Sequence, residues 1–208
     1  DIVLSVVGIV FLSPILICCA LMIKREDNGP VFYRGERVGL KGKSFRIYKF
    51  RTMVVDGEKL GASSTTEEDP RITTIGRLLR KYKLDELPQL VNVVLGQMSI
   101  VGPRPEVKKF TDLYSKSERR IISVRPGITD WASIWNSDEA AVLAGAEDPD
   151  GLYMEIIRPK KLKLQMDYVD HHNFWIDLKI ITLTLLAILG SESAAVKELR
   201  GQKSGGGF

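Results

Sequence analysis

An uncharged, apolar run over residues 2–23 opens the chain. As a straight helix it is long enough to cross the hydrocarbon core of a bilayer. Ser13-Pro14 lies at its middle, and a kink or break is predicted there because proline lacks a backbone N–H and clashes with the preceding turn. The run therefore predicts a membrane helix that either spans with a kink or bends at Pro14 and leaves by the face it entered. Lys24 and Arg25 place its C-terminal end on the cytoplasmic side.

The pattern changes at Pro30. Between residues 30 and 53, two aromatic and β-branched runs flank Gly39 and Gly42, which predicts a small extended hairpin. A solvated charged face and a phosphate- or nucleotide-binding surface both explain why this segment is rich in cations. Its basic residues are Arg34, Arg37, Lys41, Lys43, Arg46, Lys49 and Arg51.

Helical spacing of apolar positions dominates the rest of the chain. Residues 72–83 predict an amphipathic helix with a cationic face, and residues 85–95 predict a second helix that ends at Gly96. The strongly apolar residues 174–189 carry Asp177 and Lys179 near one end, which favours an interfacial or core helix. Further helices are predicted over residues 106–123, 138–146 and 154–169, a loop over 56–70, and a frayed polar tail over 191–208.

Length, charge and composition exclude few classes of function. The chain has 208 residues, enough for one domain and a membrane element, and its net charge of +4 suits phosphate-bearing partners or an anionic membrane surface. Cys18 and Cys19 are neighbours, so no disulfide framework is predicted and a reducing compartment is expected. His171 and His172 would point about 100° apart on a helix, which disfavours a shared metal.

The string LDELPQL over residues 84–90 places two carboxylates side by side. A helix start explains Asp85 and Glu86 without any chemistry, because acidic residues and proline suit a first turn. Phosphoryl chemistry explains them as well: one carboxylate can attack phosphorus while its neighbour holds Mg²⁺. A glycosidase would set its two acids several Å apart across a cleft. Three arginines near turns can bind phosphate: Arg80, Arg104 and Arg125.

Taken in order, these strings resemble a known family. A Ser-Pro-interrupted apolar segment is followed by YKFRTM, then by Arg80 shortly before LDELPQL, then by GQMSIVGPRP and VRPGIT. The ordered set is similar to the bacterial monotopic phosphoglycosyl transferases, a class of sugar transferase. The resemblance extends from the apolar segment to about Thr129 and more weakly to about Leu189. It departs from the family pattern after VRPGIT, where Asp130-Trp131 and a longer stretch to Gly151 leave the sugar open.

The resemblance implies transfer of a sugar phosphate from a UDP-sugar to a polyprenol (undecaprenyl) phosphate, with release of UMP. Asp85 matches the nucleophile that forms a covalent phosphosugar adduct, and Glu86, with Asp85 beside it, matches the Mg²⁺-binding acid. Substrate-binding positions are implied at Lys49, Arg80, Arg104 and Arg125 and at the downstream acidic-aromatic pair Asp167-Tyr168.

The resemblance also implies an architecture. An α+β, mostly helical fold is expected, with a re-entrant membrane helix over residues 1–23 that breaks at Ser13-Pro14. A catalytic domain is expected over 24–190 with interfacial amphipathic helices, followed by a flexible tail over 191–208. The implied location is the cytoplasmic face of the bacterial inner membrane, with phospholipid as a partner and no nucleic acid.

Two other functions fit parts of the sequence. A membrane-bound phosphatase or pyrophosphatase would use the same Asp85 and Mg²⁺ but pass the phosphoryl group to water. A non-catalytic membrane adaptor would use its cations to bind anionic lipid. The adaptor gives no reason for the adjacent carboxylates with three arginines at turns, whereas the phosphatase differs from the transferase only in its acceptor.

Overall fold

The structure is a computed structural model that describes residues 1–57, 66, 69–136 and 142–188. As predicted, these residues are mostly helical, with a few short strands and one long apolar N-terminal helix. The predicted tail over 191–208 lies outside the described residues. So do most of the predicted loop over 56–70 and the first residues of the helix predicted over 138–146.

Helix α1 covers Ile2–Asp27 and continues through Pro14. Proline offers no N–H to the carbonyl of Val10, one helical turn before it, and such an orphan carbonyl is costly in apolar surroundings. The Ser13 hydroxyl donates to that carbonyl at 2.8 Å. Ser13 therefore supplies the hydrogen bond that Pro14 removes, and the helix does not end at the Ser-Pro pair.

Most of the α1 surface is exposed and apolar. Its buried residues are Ser5, Cys19 and Ile23, and it packs against the two helices that follow it in the chain. Among the described residues it is the one helix whose length and composition suit a membrane span. The exposed apolar side chains include Ile2, Val3, Leu4, Val6, Val7, Val10, Phe11, Ile15, Ile17 and Leu21.

The predicted hairpin is confirmed and consists of two nested antiparallel ladders. The inner ladder closes through a 3₁₀ turn at Leu40–Gly42. Phe45, Ile47 and Phe50 point into the core, and Lys49 lies in the outer ladder opposite Tyr33. The strands are β1 (Phe32–Tyr33), β2 (Glu36–Val38), β3 (Ser44–Arg46) and β4 (Lys49–Phe50), paired β1 with β4 and β2 with β3.

Helix α2 (Thr74–Lys81) confirms the helix predicted over 72–83 and starts at Thr73, whose hydroxyl accepts the Gly76 N–H at 2.9 Å. The single helix predicted over 85–95 is wrong. A 3₁₀ turn over Leu84–Glu86 precedes α3, Gln89–Val94. Pro88 cannot donate the α-helical bond that would join the two, so the backbone uses the shorter 3₁₀ pattern first.

The helix predicted over 106–123 is also wrong. The structure has a short helix α4 at Lys108–Thr111 and a separate 3₁₀ helix at Glu118–Ser123. Ser115 and Glu118 form a capping box between them: the Ser115 N–H donates to Glu118 Oε2 at 2.7 Å, and the Glu118 N–H donates to Ser115 Oγ at 3.3 Å. This pair starts a new element where apolar spacing alone indicates continuity.

Two parallel strands and three helices build the core beside the hairpin. Tyr168, Ile134 and Ile180 pack there with Val101 and Leu183. The helices predicted over 154–169 and 174–189 are confirmed, with a π-helical turn at Tyr153–Ile157 before the first of them. The strands are β5 (Ser99–Val101) and β6 (Gly127–Thr129), and the three helices are α5 (Trp131–Trp135), α7 (Arg158–His171) and α8 (Phe174–Ile188). A further short helix, α6 (Pro149–Leu152), precedes the π-helical turn.

The ends of β5 and β6 touch through glycines. A Cβ on Gly127 would lie 2.1 Å from the backbone N of Gly102, so a side chain there would force the strands apart. The close approach also lets the Gly127 N–H donate to the Pro103 carbonyl at 3.0 Å. This hydrogen bond fixes the turn that carries Arg104.

Candidate active site

Asp85 and Glu86 lie on the 3₁₀ turn before α3, directly against strand β4. The Lys49 ammonium of that strand donates to Glu86 Oε1 at 2.7 Å and lies 3.8 Å from Asp85 Oδ2. Neighbouring residues on a helical turn point in different directions. One cation on the strand therefore faces both carboxylates, and its hydrogen bond goes to Glu86.

Arg104 holds Glu86 from the other side. Its guanidinium makes two parallel contacts, Nη1 to Oε2 at 3.0 Å and Nη2 to Oε1 at 2.5 Å. Such two-point pairs fix direction as well as distance. Although burial opposes a negative charge on Glu86, Arg104 and Lys49 outweigh it, and the pKa of Glu86 lies well below its ordinary value. Glu86 is ionised throughout the physiological range.

Asp85 has the opposite environment. It is 7% exposed, and its Oδ1 atom is buried without a hydrogen-bond partner among the described residues. Burial raises the pKa of the Asp85 carboxyl, Lys49 opposes that effect, and the negative Glu86 adds to it. A buried carboxylate oxygen without a donor is more basic and more nucleophilic than a solvated one. A carboxylate oxygen of this kind is also a suitable ligand for a hard cation.

Arg80 approaches the carboxylates from the last turn of α2. Its Nε donates to the Thr52 hydroxyl at 2.9 Å, and its positive charge lowers the pKa of Asp85, after the larger effects of burial, Lys49 and Glu86. The structure thus brings together five predicted site residues from four segments of the chain: Lys49, Arg80, Asp85, Glu86 and Arg104.

Three other predicted positions lie elsewhere. Arg125 is exposed and donates to the Gly96 carbonyl at 3.1 Å. Asp167 is exposed and pairs with His171, and the hydroxyl of the buried Tyr168 donates to Asp177 at 2.8 Å. Within the described ranges, none of the three bonds to the Asp85-Glu86 pair. Their roles in substrate binding stay predictions.

Asp85 and Glu86 would suit a magnesium ion that took its remaining ligands from a substrate and water. Asp85 Oδ1 has no donor, and Glu86 Oε2 accepts from Arg104 alone among the described residues. No group of three His, Cys, Asp or Glu side chains that could hold a metal occurs in that part of the chain. Mg²⁺ typically uses one or two protein carboxylates and completes its shell with phosphate oxygens and water.

The sequence analysis assigned no supporting role to Asp130 or to Gln165. Asp130 is fully buried; its Oδ2 accepts the Arg104 N–H at 3.1 Å and a Gln165 N–H at 3.0 Å. Its Oδ1 accepts the Ser133 N–H at 2.6 Å and so caps α5. The position of Asp130 before a helical run is a visible capping signal, whereas its bond to Arg104 depends on the contact between β5 and β6.

This arrangement suits transfer of a phosphoryl group. The buried oxygen of Asp85 can attack phosphorus, while Lys49, Arg80 and Arg104 supply positive charge where a diphosphate would accumulate negative charge.

Comparisons with known proteins agree with this chemistry. A family model described as "Bacterial sugar transferase" matches residues 1–191. The chain is 37% identical over 196 residues to a UDP-N-acetylgalactosamine-undecaprenyl-phosphate N-acetylgalactosaminephosphotransferase of Aeromonas hydrophila, covering 91% of this chain and 42% of that protein. It is 37% identical over 195 residues to a UDP-glucose:undecaprenyl-phosphate glucose-1-phosphate transferase of Escherichia coli (strain K12), covering 89% of this chain and 38% of that protein.

A shorter relative matches over most of its own length. "Uncharacterized sugar transferase EpsL" of Bacillus subtilis (strain 168) is 39% identical over 180 residues, which cover 86% of this chain and 80% of that protein. The chain spans about two fifths of the length of the Aeromonas and Escherichia proteins. From the match over residues 1–191, the chain belongs to the bacterial sugar transferase family.

Proposed function

We propose that this chain transfers a sugar 1-phosphate from a UDP-sugar to undecaprenyl phosphate through a covalent intermediate on Asp85. The observation that carries the proposal is the unpartnered, buried Oδ1 of Asp85 beside a Glu86 that is held by Lys49 and Arg104. The relatives from Aeromonas hydrophila and Escherichia coli act on UDP-sugars and undecaprenyl phosphate, as their names state.

The reaction has two displacements at one phosphorus. In the first, an Asp85 oxygen bonds to the sugar-bearing phosphorus of the UDP-sugar, the bond to the bridging oxygen breaks, and UMP leaves with that oxygen and its electron pair. In the second, a phosphate oxygen of undecaprenyl phosphate bonds to the same phosphorus and the Asp85 carboxylate leaves. The product is a polyprenyl-diphosphate sugar, and Asp85 returns to its starting state.

The cations of the site have separate tasks in this scheme. Arg104 and Lys49 hold Glu86 ionised and in place, while Arg80 faces the substrate phosphates. Mg²⁺, when bound by Asp85 and Glu86, would neutralise charge on the diphosphate. Because Lys49 bonds to Glu86, Asp85 keeps an oxygen free to attack.

We also propose that α1 is re-entrant, with both ends at the cytoplasmic face of the bacterial inner membrane. The helix has 26 residues and is about 39 Å long as a straight rod. At its start, Asp1 Oδ2 accepts the Ser99 hydroxyl at 2.8 Å; at its end, Asp27 pairs with Arg51 through both carboxylate oxygens. Ser99 and Arg51 both belong to the domain that carries Asp85 and Glu86, so both helix ends contact that domain, which supports a position on one side of the membrane.

Helix α8 supports an interfacial position for the rest of the domain. Phe174 and Trp175 at its start are 71% and 74% exposed and pack edge to face. Aromatic side chains are enriched at the level of the lipid headgroups. An interfacial α8 would hold the site at the depth of the undecaprenyl phosphate headgroup.

The test is a screen of UDP-glucose, UDP-galactose and UDP-N-acetylgalactosamine with undecaprenyl phosphate and Mg²⁺. Released UMP and radioactive sugar in the lipid extract are the two readouts. We expect UMP release that depends on the acceptor and labels the lipid. Release into water without labelled lipid would instead establish a phosphatase or pyrophosphatase. Binding of liposomes that salt abolishes, without any nucleotide binding, would establish an adaptor.

A further inference from the structure

The hydrogen bond between Arg80 and Thr52 joins two segments that sequence alone does not connect. Thr52 follows strand β4 and is 7% exposed, and its hydroxyl accepts from Arg80 Nε at 2.9 Å. We propose that Thr52 is a positioning residue for the reaction, which sets the direction of the Arg80 guanidinium toward the phosphates of the UDP-sugar. This inference rests on the proposed function.

The backbone around Thr52 is held in place independently of its hydroxyl. Its carbonyl accepts the Thr73 N–H at 3.0 Å, at the start of α2. A Cβ on Gly76 would lie 2.1 Å from that carbonyl oxygen, so glycine permits this close approach of α2. Gly76 and Arg80 are four residues apart on α2 and share one face of the helix. The same face that packs on Thr52 therefore presents Arg80.

Arg80 donates to Thr52 through Nε, and this choice of donor atom determines the orientation of the guanidinium. A guanidinium has five N–H donors in one plane, and a bond at Nε fixes that plane while leaving both Nη groups to project beyond it. Among the described residues, the Arg80 side chain makes no other hydrogen bond or ion pair. A planar pair of Nη donors of fixed orientation suits two oxygens of a phosphate.

Thr52 also links Arg80 to the opposite side of the site. It lies on the same short segment as Lys49, whose ammonium holds Glu86, and Arg51, whose guanidinium pairs with Asp27 at the end of α1. The Thr52 hydroxyl therefore anchors Arg80 to the segment that also carries Lys49, the residue that positions Glu86. Without this hydrogen bond, the Arg80 guanidinium could rotate independently of the Lys49–Glu86 pair.

The experiment compares Thr52→Val, which keeps the shape and removes the hydroxyl, with Thr52→Ser, which keeps the hydroxyl. Affinity for UDP is measured by calorimetry, and kcat and KM are measured with the UDP-sugar used by the wild type. A hydrogen bond to a charged group predicts that Thr52→Val loses about tenfold in UDP affinity and in kcat/KM, while Thr52→Ser stays within about twofold of wild type. Thr111→Val, which removes the hydroxyl of a threonine in α4, is the control and should change neither.

A double-mutant cycle with Arg80→Lys separates positioning from general stability. Lysine has no Nε fork, so adding Thr52→Val to Arg80→Lys should cost less than about twofold further in UDP affinity. An equal loss in both backgrounds, or unchanged UDP affinity in Thr52→Val alone, overturns the inference. If Thr52→Val does not fold, Thr52→Ala compared with Thr52→Ser isolates the hydroxyl in the same way. A wild type that binds UDP but forms no lipid product would refute the proposed function and leave the affinity test of Thr52 intact.

Discussion

Lys49 donates its hydrogen bond to Glu86 and not to Asp85: its Nζ lies 2.7 Å from Glu86 Oε1 and 3.8 Å from Asp85 Oδ2. Two carboxylates that are adjacent in sequence thus receive different environments. Glu86 is held by two cations and stays ionised, whereas Asp85 keeps one buried oxygen without a donor. On this difference we base the proposal that Asp85 is the nucleophile and that Glu86 has a structural and metal-binding role.

Replacing Glu86 with Gln should destabilise the protein as well as impair catalysis. The substitution leaves Lys49 and the half-buried Arg104 without their shared counter-ion, which we expect to cost about 2–4 kcal/mol in the free energy of unfolding. For a protein of this size that corresponds to a fall of roughly 5–12 °C in Tm. Thermal unfolding in detergent measures it.

The exposed pair Lys108-Asp112 provides the matched control, since both side chains are more than half exposed. Asp112→Asn should change the free energy of unfolding by less than about 0.5 kcal/mol because exposed pairs contribute little. If Glu86→Gln shifts Tm no more than this control does, the two-cation clamp on Glu86 does not stabilise the fold.

The stability contributed by Glu86 should depend on pH in a defined direction. Its folded-state pKa lies well below the unfolded value of about 4.3, so the contribution is complete above that value and is lost as the pH falls toward the folded pKa. The difference in unfolding free energy between wild type and Glu86→Gln, measured in EDTA, should therefore be constant from pH 7 to about 5 and shrink below about 4. A difference that grows in acid contradicts the assigned charge of Glu86.

The sequence predicted those helices and strands that are specified by residues close to one another along the chain. The apolar run over residues 2–23 gave α1, and the aromatic and β-branched runs around Gly39 and Gly42 gave the hairpin. Apolar spacing gave α2 and α7, and the apolar run over residues 174–189 gave α8. The two helix errors also had visible local causes: Pro88 separates the turn at Asp85 from α3, and Ser115 with Glu118 forms a capping box. A stricter use of start and stop signals would have divided both segments.

The site was predictable only in part because its contacts are not local. Local signals singled out Asp85, Glu86, Arg80 and Arg104, and the resemblance added Lys49 as a substrate-binding position; the structure brings these five residues together. The resemblance gave no reason to pair Thr52 with Arg80 or Asp130 with the Arg104 backbone. Those contacts depend on how α2 packs on the segment after β4 and on how β5 meets β6. No periodicity or charge pattern encodes them.

Replacing Pro14 with Leu should alter the topology of α1. Leucine returns the backbone N–H that the Ser13 hydroxyl replaces and removes the ring clash, which favours a straight helix by at most about 3 kcal/mol. A straightened α1 is long enough to cross the bilayer. We therefore expect part of the population to move its N-terminus to the far side, and activity to fall in proportion.

Labelling with an impermeant thiol reagent reads the sidedness of α1. Ile2→Cys provides an exposed site, with Cys18 and Cys19 replaced by Ser. With Pro14 present, this cysteine should be protected from reagent outside the cell, and Pro14→Leu should expose a fraction of it. If it already labels from outside when Pro14 is present, α1 spans the membrane and the re-entrant topology is wrong.

The covalent intermediate on Asp85 is the central claim, and intact-protein mass spectrometry tests it most directly. The protein is incubated with Mg²⁺ and the UDP-sugar that supports turnover, without undecaprenyl phosphate, so that the second displacement cannot occur. We predict a mass increase of one sugar phosphate, mapped by peptide fragmentation to Asp85, absent in Asp85→Asn and discharged when undecaprenyl phosphate is added. An adduct on another residue, or full turnover by Asp85→Asn, would contradict the account.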